Sequence, residues 1–144
     1  MLPSVQKLKE ITEKLQKILR IQDWDIEVLL VSDAEMTIEY GENCSGGCQR
    51  KRNSKEARIL INTENYRLST QENYWYHTLL HELYHVVTDT LIFAVDDARE
   101  YIKNKKVRHE IKETTNIKYE ELVNQLAKGF VNAYPVTNFI KEGE

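Results

Sequence analysis

The segment from Asn73 to Leu91 contains no Gly or Pro, and its apolar residues recur every three or four positions. This spacing places them on one face of a helix. They are Leu79, Leu80, Leu83, Val86, Val87 and Leu91. The pattern predicts a long helix that buries this face. Ser69-Thr70-Gln71-Glu72 matches a capping box and predicts where the helix begins.

The same helix carries two histidines on one face. His81 and His85 are four residues apart, so their side chains lie one turn from each other and can reach a single small cation. Neutral imidazoles are good ligands for Zn²⁺. Glu82 follows the first histidine directly, where a carboxylate can act as general base for a water activated by the metal. The motif predicts zinc binding, against the alternative of two histidines that share a helix face by chance.

Length and composition predict one globular domain spanning residues 1–144. The chain is 41% hydrophobic and 30% charged, which is an ordinary folded composition. A net charge of −3 argues against nucleic acid as the main partner. The apolar runs are shorter than the roughly 18 residues of a membrane span, and the first residues do not resemble a secretory signal. We therefore expect a cytoplasmic protein without a membrane partner.

The surroundings of the motif resemble those of compact single-domain zincin metallopeptidases of phage and mobile-element origin, near the gluzincin-like family that cleaves phage repressors. The resemblance implies an α+β fold with an N-terminal helix, a small three-stranded sheet, the motif helix and C-terminal helices. It rests on Trp24-Asp25 at the start of a strand, a strand that ends in Ile59-Leu60-Ile61-Asn62, His81-Glu82-x-x-His85, and Glu120-x-x-x-Asn124-x-x-Ala127. Leu126 stands where those relatives often carry Phe.

Strands are predicted at residues 26–31, 35–40 and 57–62. The resemblance implies that the third strand is a sheet edge beside the active-site cleft. An unpaired edge can accept an extended peptide through main-chain hydrogen bonds, so a polypeptide substrate is expected there.

Two further helices are predicted from periodicity. The first covers about residues 4–20, and the last runs from Tyr119 to about Tyr134, where Pro135 stops it. Residues 108–118 are polar and are expected to form a loop. The last nine residues are expected to be loosely held.

Residues 41–55 contain two adjacent glycines, two cysteines and the basic run Arg50-Lys51-Arg52. This composition favours a solvated hairpin tip, with contact to a phosphate or an acidic substrate as the alternative. Cys44 and Cys48 are expected to be free thiols, because cytosolic proteins keep thiols reduced. A disulfide or redox role, or an accessory metal site, is the alternative for this pair.

A catalytic zinc usually has three protein ligands, so a third must come from elsewhere. Asp89 and His77 lie one turn after and before the motif histidines, but three successive turns of a straight helix diverge too far. His109 could swing in from the polar segment. On the final helix, Glu120 lies at the flank of the apolar face, where it can point into a cleft, and Glu121 lies almost opposite that face. Glu120 is therefore the expected third ligand, with Glu121, His109 and Asp89 as alternatives. Glu120 also matches the glutamate ligand of gluzincin-like members; the alternative is a plain surface carboxylate.

These residues predict a zinc-dependent peptidase acting on a protein or peptide, with Glu82 moving a proton from water to the leaving amine. Tyr119, Tyr101 and His109 are candidates for stabilising the oxyanion. A second hypothesis is a non-catalytic zinc protein that binds a phage or host regulator, although retention of Glu82 favours the enzyme. A third is a protease linked to nucleic acid through the basic run at residues 50–52.

Overall fold

A computed structural model describes residues 2–140 and shows an α+β fold. Its strands are β1 (Asp25–Val31), β2 (Gly46–Lys51) and β3 (Glu56–Asn62). Its helices are α1 (Val5–Leu19), α2 (Asp33–Tyr40), α3 (Tyr66–Thr70), α4 (Tyr74–Val87), α5 (Asp89–Glu100) and α6 (Lys105–Ala133), followed by a 3₁₀ turn at Val136–Asn138. The expected mixed fold with a small three-stranded sheet is confirmed.

The sheet has the order β1-β3-β2. β1 and β3 are parallel, with Val28 opposite Ile59, and β2 and β3 are antiparallel, with Cys48 also opposite Ile59. The central strand is therefore β3, whose residues Ile59 and Ile61 are fully buried. The prediction that residues 57–62 form a sheet edge is wrong, because both sides of that strand are paired. The edge that faces α4 is β2.

α1 packs against β1 and buries the residues that gave it its helical period. Leu8, Ile11 and Leu15 are completely buried, while the Lys and Glu residues between them face solvent. The Ser4 hydroxyl caps the N-terminus by accepting from the Lys7 amide at 3.2 Å. The helix predicted at residues 4–20 is confirmed.

α4 forms the centre of the core. It contacts β2, β3 and α6, and its fully buried residues include Leu79, Leu80 and Leu83. The helix does not begin at Ser69, because Asn65 caps the short helix α3 and the Ser69 and Thr70 hydroxyls donate back to the Tyr66 carbonyl oxygen. α4 instead follows Asn73, which adopts the left-handed conformation that Asn tolerates better than most residues.

Residues 35–40, predicted as a strand, belong to α2. Ser32 and Glu35 form a capping box: the Ser32 hydroxyl accepts from the Glu35 amide, and the Glu35 carboxylate accepts from the Ser32 amide at 2.9 Å. This reciprocal cap satisfies amides that a short helix otherwise leaves unpaired. The strand that completes the sheet is β2, within the segment predicted as a hairpin tip.

Residues 108–118, predicted as a loop, lie in the first half of α6. Asn104 caps this helix through the amides of Lys106 and Val107. The buried residues of α6 are Val123, Ala127 and Phe130, all in its second half. The first half of α6 is exposed and therefore polar. Its polarity does not indicate a loop, so the prediction of a loop at residues 108–118 is wrong. The predicted final helix, Tyr119 to Tyr134, is the core-packed half.

The chain after α6 folds back onto the core. Val136 and Phe139 are buried, and the Tyr76 hydroxyl donates to the Tyr134 carbonyl oxygen at 2.9 Å. The prediction of a loosely held tail is therefore wrong for residues 136–140, while residues 141–144 lie outside the described part. Across residues 2–140, every helix is too short or too polar to span a bilayer.

Gly47 gives a direct test of how β2 packs. A Cβ atom at this position would overlap the ring of Tyr40, whereas a Cβ at Gly129 on α6 would meet nothing within 4 Å. We expect Gly47→Ala to lower the free energy of unfolding by about 1–3 kcal/mol through overpacking. Gly129→Ala should raise it by up to about 1 kcal/mol, because Ala is the better helix former.

Urea denaturation of the two variants beside the wild type measures both effects. Equal stability of Gly47→Ala and the wild type would contradict this packing of β2 against Tyr40.

Candidate metal centre

α4 presents His81 and His85 on one face, next to its buried apolar stripe. The two Nε2 atoms are 3.2 Å apart, as expected for residues one helical turn from each other. Both side chains are largely buried, with 17% and 12% of their surface exposed. The two nitrogens therefore meet at a single point at the edge of the core.

Glu120 of α6 completes the cluster. Its Oε2 lies 3.3 Å from Nε2 of His81, and its Oε1 lies 3.4 Å from Nε2 of His85. One ligand atom from each of the three residues lies within 4.8 Å of the others, so this group could hold a metal ion. The structure thus brings together the three residues expected as ligands.

Hydrogen bonds orient both imidazoles from the opposite ring nitrogen. Nδ1 of His81 is 3.0 Å from Oδ1 of Asn124, which follows Glu120 by one turn of α6. Nδ1 of His85 is 3.1 Å from the Tyr119 hydroxyl. Such outer partners hold metal-binding imidazoles in place in known metal sites. Tyr119, Glu120 and Asn124 all come from the same stretch of α6.

The charges of the cluster are strongly linked. Burial lowers the pKa of His81, but hydrogen bonding to Glu120 and the nearby Glu82 outweigh it and raise the pKa overall. Burial lowers the pKa of His85 to about 4. Hydrogen bonding to His81 lowers the pKa of Glu120. At neutral pH, Glu120 is therefore an anion and His85 is neutral, which are the forms that bind metals.

Glu82 is the most buried acidic group of the site, with 5% of the residue exposed. Burial raises its pKa to about 7, although the charge of His81 opposes the shift. Gly46 of β2 lies against it: a Cβ on Gly46 would be 2.9 Å from Oε1 of Glu82 and 2.6 Å from Cγ2 of Thr78. Glycine is needed here for close approach of the strand to α4. The carboxyl group is thereby shielded from solvent beside the two histidines.

The cluster opens into a cleft of about 510 Å³. Its floor is α4, one wall is β2, and the other wall is made by α5 and α6. The wall residues are Tyr40, Gly46, Gly47, Cys48 and Arg50 on one side and Ile92, Asp96, Asn116, Tyr119 and Glu120 on the other. A groove of this size can accept a few residues of a peptide.

The other candidates for the third ligand lie apart from the cluster or are otherwise engaged. Glu121 is exposed and pairs with Lys118 at 2.9 Å. His109 is exposed, three turns before Glu120 on α6. His77 is half-buried and stacks on Tyr74.

Asp89, the remaining candidate, is buried and bound by two arginines. Arg52 pairs with it through Nε at 2.7 Å and Nη2 at 3.1 Å, and Arg50 Nη1 lies 3.1 Å from its Oδ1. Arg50 Nη1 also donates to the His85 carbonyl oxygen at 2.7 Å. Two members of the basic run thus face inward and tie β2 to the end of α4, so the run is not simply a solvated tip.

Of the three residues considered for the oxyanion, only Tyr119 lies in the cleft. Its hydroxyl is within hydrogen-bond distance of His85 and of Thr88. Tyr101 ends α5 with 81% of its surface exposed, and His109 is also exposed. The structure does not bring Tyr101 or His109 to the cluster.

Sequence reasoning missed several residues around the site. Asn124 carried a signal, because it lies four residues after Glu120 on the same helix face. Thr88 carried only a weak one, at the end of the motif helix. The contact of Arg50 with Asp89 joins distant parts of the chain and had no local signal.

Both cysteines are free thiols in the structure, as expected. Cys48 lies on β2 and lines the cleft, and burial raises its pKa to about 12. Burial also raises the pKa of Cys44. Neither thiol is therefore in the thiolate form that metals and oxidants require.

Comparison of the chain with protein-family models, with curated proteins and with solved structures finds no significant match.

The ion pairs of Asp89 predict a stability effect remote from the metal-binding atoms. We expect Asp89→Asn to lower the free energy of unfolding by about 2 kcal/mol, because two guanidinium groups lose their counter-charge. The cost stays below that of a fully buried pair, since Arg50 and Arg52 are 23% and 39% exposed.

Asp96→Asn on the same helix is the matched control. Asp96 pairs with Arg99 at 2.8 Å but is 49% exposed, so its loss should cost less than about 1 kcal/mol. Urea denaturation compares the two variants, and equal costs would contradict the role given to Asp89.

Proposed function

We propose that this protein is a zinc-dependent peptidase with a compact zincin-like fold. The observation that carries the proposal is the convergence of two imidazole nitrogens and a carboxylate at 3.2–3.4 Å, directly beside a buried glutamate. Two histidines and one glutamate, with Glu82 between the histidines, match the ligand set and general base of known zinc peptidases.

The ligand atoms themselves support a bound cation. In the metal-free protein, a hydrogen bond between Nε2 of His81 and Glu120 places a proton where the three groups meet, with their atoms 3.2–3.4 Å apart. A cation that replaces this proton would be bound by both Nε2 lone pairs and by the Glu120 carboxylate. Nitrogen and oxygen ligands in this ratio suit Zn²⁺, so His81, His85 and Glu120 would hold it.

A zinc ion at such a site supplies Lewis acidity, which activates water and polarises a carbonyl group. Glu82 is placed to accept the proton of the attacking water and to pass it to the leaving amine. Burial raises its pKa to about 7 in the metal-free site, and a neighbouring cation would lower it toward the anionic form that accepts a proton. Asn124 and Tyr119 hold the two imidazoles in position, and Gly46 lies against the buried Glu82.

β2 is the strand best placed to bind the substrate. Within the described residues it pairs only with β3, and it lines the cleft next to Glu82. The free edge of such a strand offers main-chain donors and acceptors to an extended peptide. A peptide or protein held there would pass the three ligand residues. The proposed substrate-binding edge is therefore β2, and not residues 57–62 as the sequence predicts.

Metal content is the first test. We expect about one zinc per chain in the purified, untagged wild type, none in His81→Ala and much less in Glu120→Ala, measured by elemental mass spectrometry. Glu121→Ala should keep the wild-type content, because Glu121 faces Lys118 and not the cluster. Wild-type protein that takes up no stoichiometric metal after refolding with zinc would refute the proposal.

The role of Glu82 has a separate test. Glu82→Gln should keep the metal but lose hydrolysis by about 10²–10⁴-fold, because the amide cannot accept the proton of water. Cleavage of a mixed peptide library, followed by mass spectrometry, measures it, with Glu121→Gln as the matched control. Full turnover in Glu82→Gln would exclude the general-base role. A zinc-loaded wild type that cleaves no peptide would instead favour a non-catalytic metal protein.

A further inference from the structure

Thr88 lies between α4 and α5 and links the backbone of α4 to the His85 side chain. Its hydroxyl oxygen is 2.6 Å from the Tyr84 carbonyl oxygen and 2.7 Å from the Tyr119 hydroxyl oxygen. The Tyr119 hydroxyl is 3.1 Å from Nδ1 of His85. Carbonyl, threonine, tyrosine and imidazole therefore form one continuous chain of hydrogen bonds.

The donor and acceptor roles along these hydrogen bonds follow from the Tyr84 carbonyl oxygen, which has no proton to donate. A backbone carbonyl only accepts, so Thr88 donates its proton to Tyr84. The Thr88 oxygen can then only accept from Tyr119, and the single proton of Tyr119 is used in that bond. The Tyr119 oxygen offers His85 only lone pairs. The proton of the His85 imidazole must consequently lie on Nδ1.

Arg50 supports the same direction. The Arg50 guanidinium also lies beside the Tyr119 hydroxyl. A guanidinium is always a donor, so Arg50 cannot take the Tyr119 proton and can only approach its oxygen. The acceptors that remain for this proton are Thr88 and Nδ1 of His85, and the Thr88 oxygen is the nearer, at 2.7 Å against 3.1 Å.

We propose that Thr88 is a positioning residue: through Tyr119, its hydroxyl keeps the His85 proton on Nδ1 and the Nε2 lone pair free toward His81 and Glu120. Nδ1 of His81 lies 3.0 Å from the side-chain Oδ1 of Asn124, which can accept its proton without an intermediate residue. The consequence for zinc affinity rests on the proposed function, whereas the position of the proton on His85 is independent of that proposal.

Removal of the Thr88 hydroxyl reverses the direction of the hydrogen bond between Tyr119 and His85. Tyr119 loses its acceptor and can turn its O–H toward Nδ1 of His85. This hydrogen bond favours the tautomer with its proton on Nε2, and that proton must leave before Nε2 can bind a cation. Loss of one hydroxyl, two hydrogen bonds away from the ring, thus changes the protonation of the ligand atom.

The experiment compares Thr88→Val, Thr88→Ser and Thr12→Val with the wild type. Valine keeps the shape of threonine without its hydroxyl, and serine restores the hydroxyl. Thr12 is the matched control: it is buried and donates to the Leu8 carbonyl oxygen at 2.7 Å in the same manner, but α1 does not line the cleft. The tautomer of His85 is read from two-bond ¹H–¹⁵N correlations of the metal-free protein at neutral pH. The zinc dissociation constant is measured by competition with a chromophoric chelator.

We expect the Nδ1-protonated form of His85 in the wild type, Thr88→Ser and Thr12→Val. Thr88→Val should shift toward the Nε2-protonated form and bind zinc about tenfold more weakly. An Nε2-protonated His85 in the wild type, an unshifted tautomer in Thr88→Val, or a serine variant that behaves like valine would each overturn the proposal.

The wild-type spectrum is decisive even if Thr88→Val does not fold. The two proposals also fail separately. An Nδ1-protonated wild type that binds no zinc would support the relay and refute the peptidase. Zinc binding by a wild type with the opposite tautomer would refute only the relay.

Discussion

The packing of α4 against α6 is the contact on which the candidate metal centre depends. Val123, Ala127 and Phe130 are buried in the second half of α6, and the Phe130 ring meets Tyr84 of α4 edge-on. The polar residues beside this interface are His81, His85, Glu120 and Asn124. Because they flank the apolar contact on both helices, the burial that stabilises the fold also sets the distances among the ligand atoms.

A second constraint is electrostatic. Asp89, buried just after α4, accepts ion pairs from Arg50 and Arg52 on and after the edge strand. Arg50 also satisfies the His85 carbonyl oxygen, one of those that a helix end leaves unpaired. The β2 wall of the cleft is thus attached to its floor by charge as well as by packing. This leaves the wall residues near Glu82 free to be small, as Gly46 and Gly47 are.

Regular periodicity made much of this structure predictable. The apolar stripes of α1 and α4 predict both helices, and the flank position of Glu120 on the final helix predicts that it lies near the histidines. Features that depend on partners distant in the sequence cannot be predicted from local patterns. β2 reads Gly-Gly-Cys-Gln-Arg-Lys, with little intrinsic preference for a strand, and becomes one by pairing with β3. The exposed half of α6 shows no apolar stripe because it packs against little.

The three ligand residues come from two helices that are separated in the chain by all of α5 and the turn after it. A cation held by them would close this segment into a loop through coordination bonds, as a disulfide does through a covalent one. Closure costs the unfolded chain conformational entropy, while the native chain already has the required geometry. Metal uptake would therefore act on the folding equilibrium itself. The segment from His85 to Glu120, which contains α5 and the first half of α6, would resist local opening because both of its ends are anchored at one point.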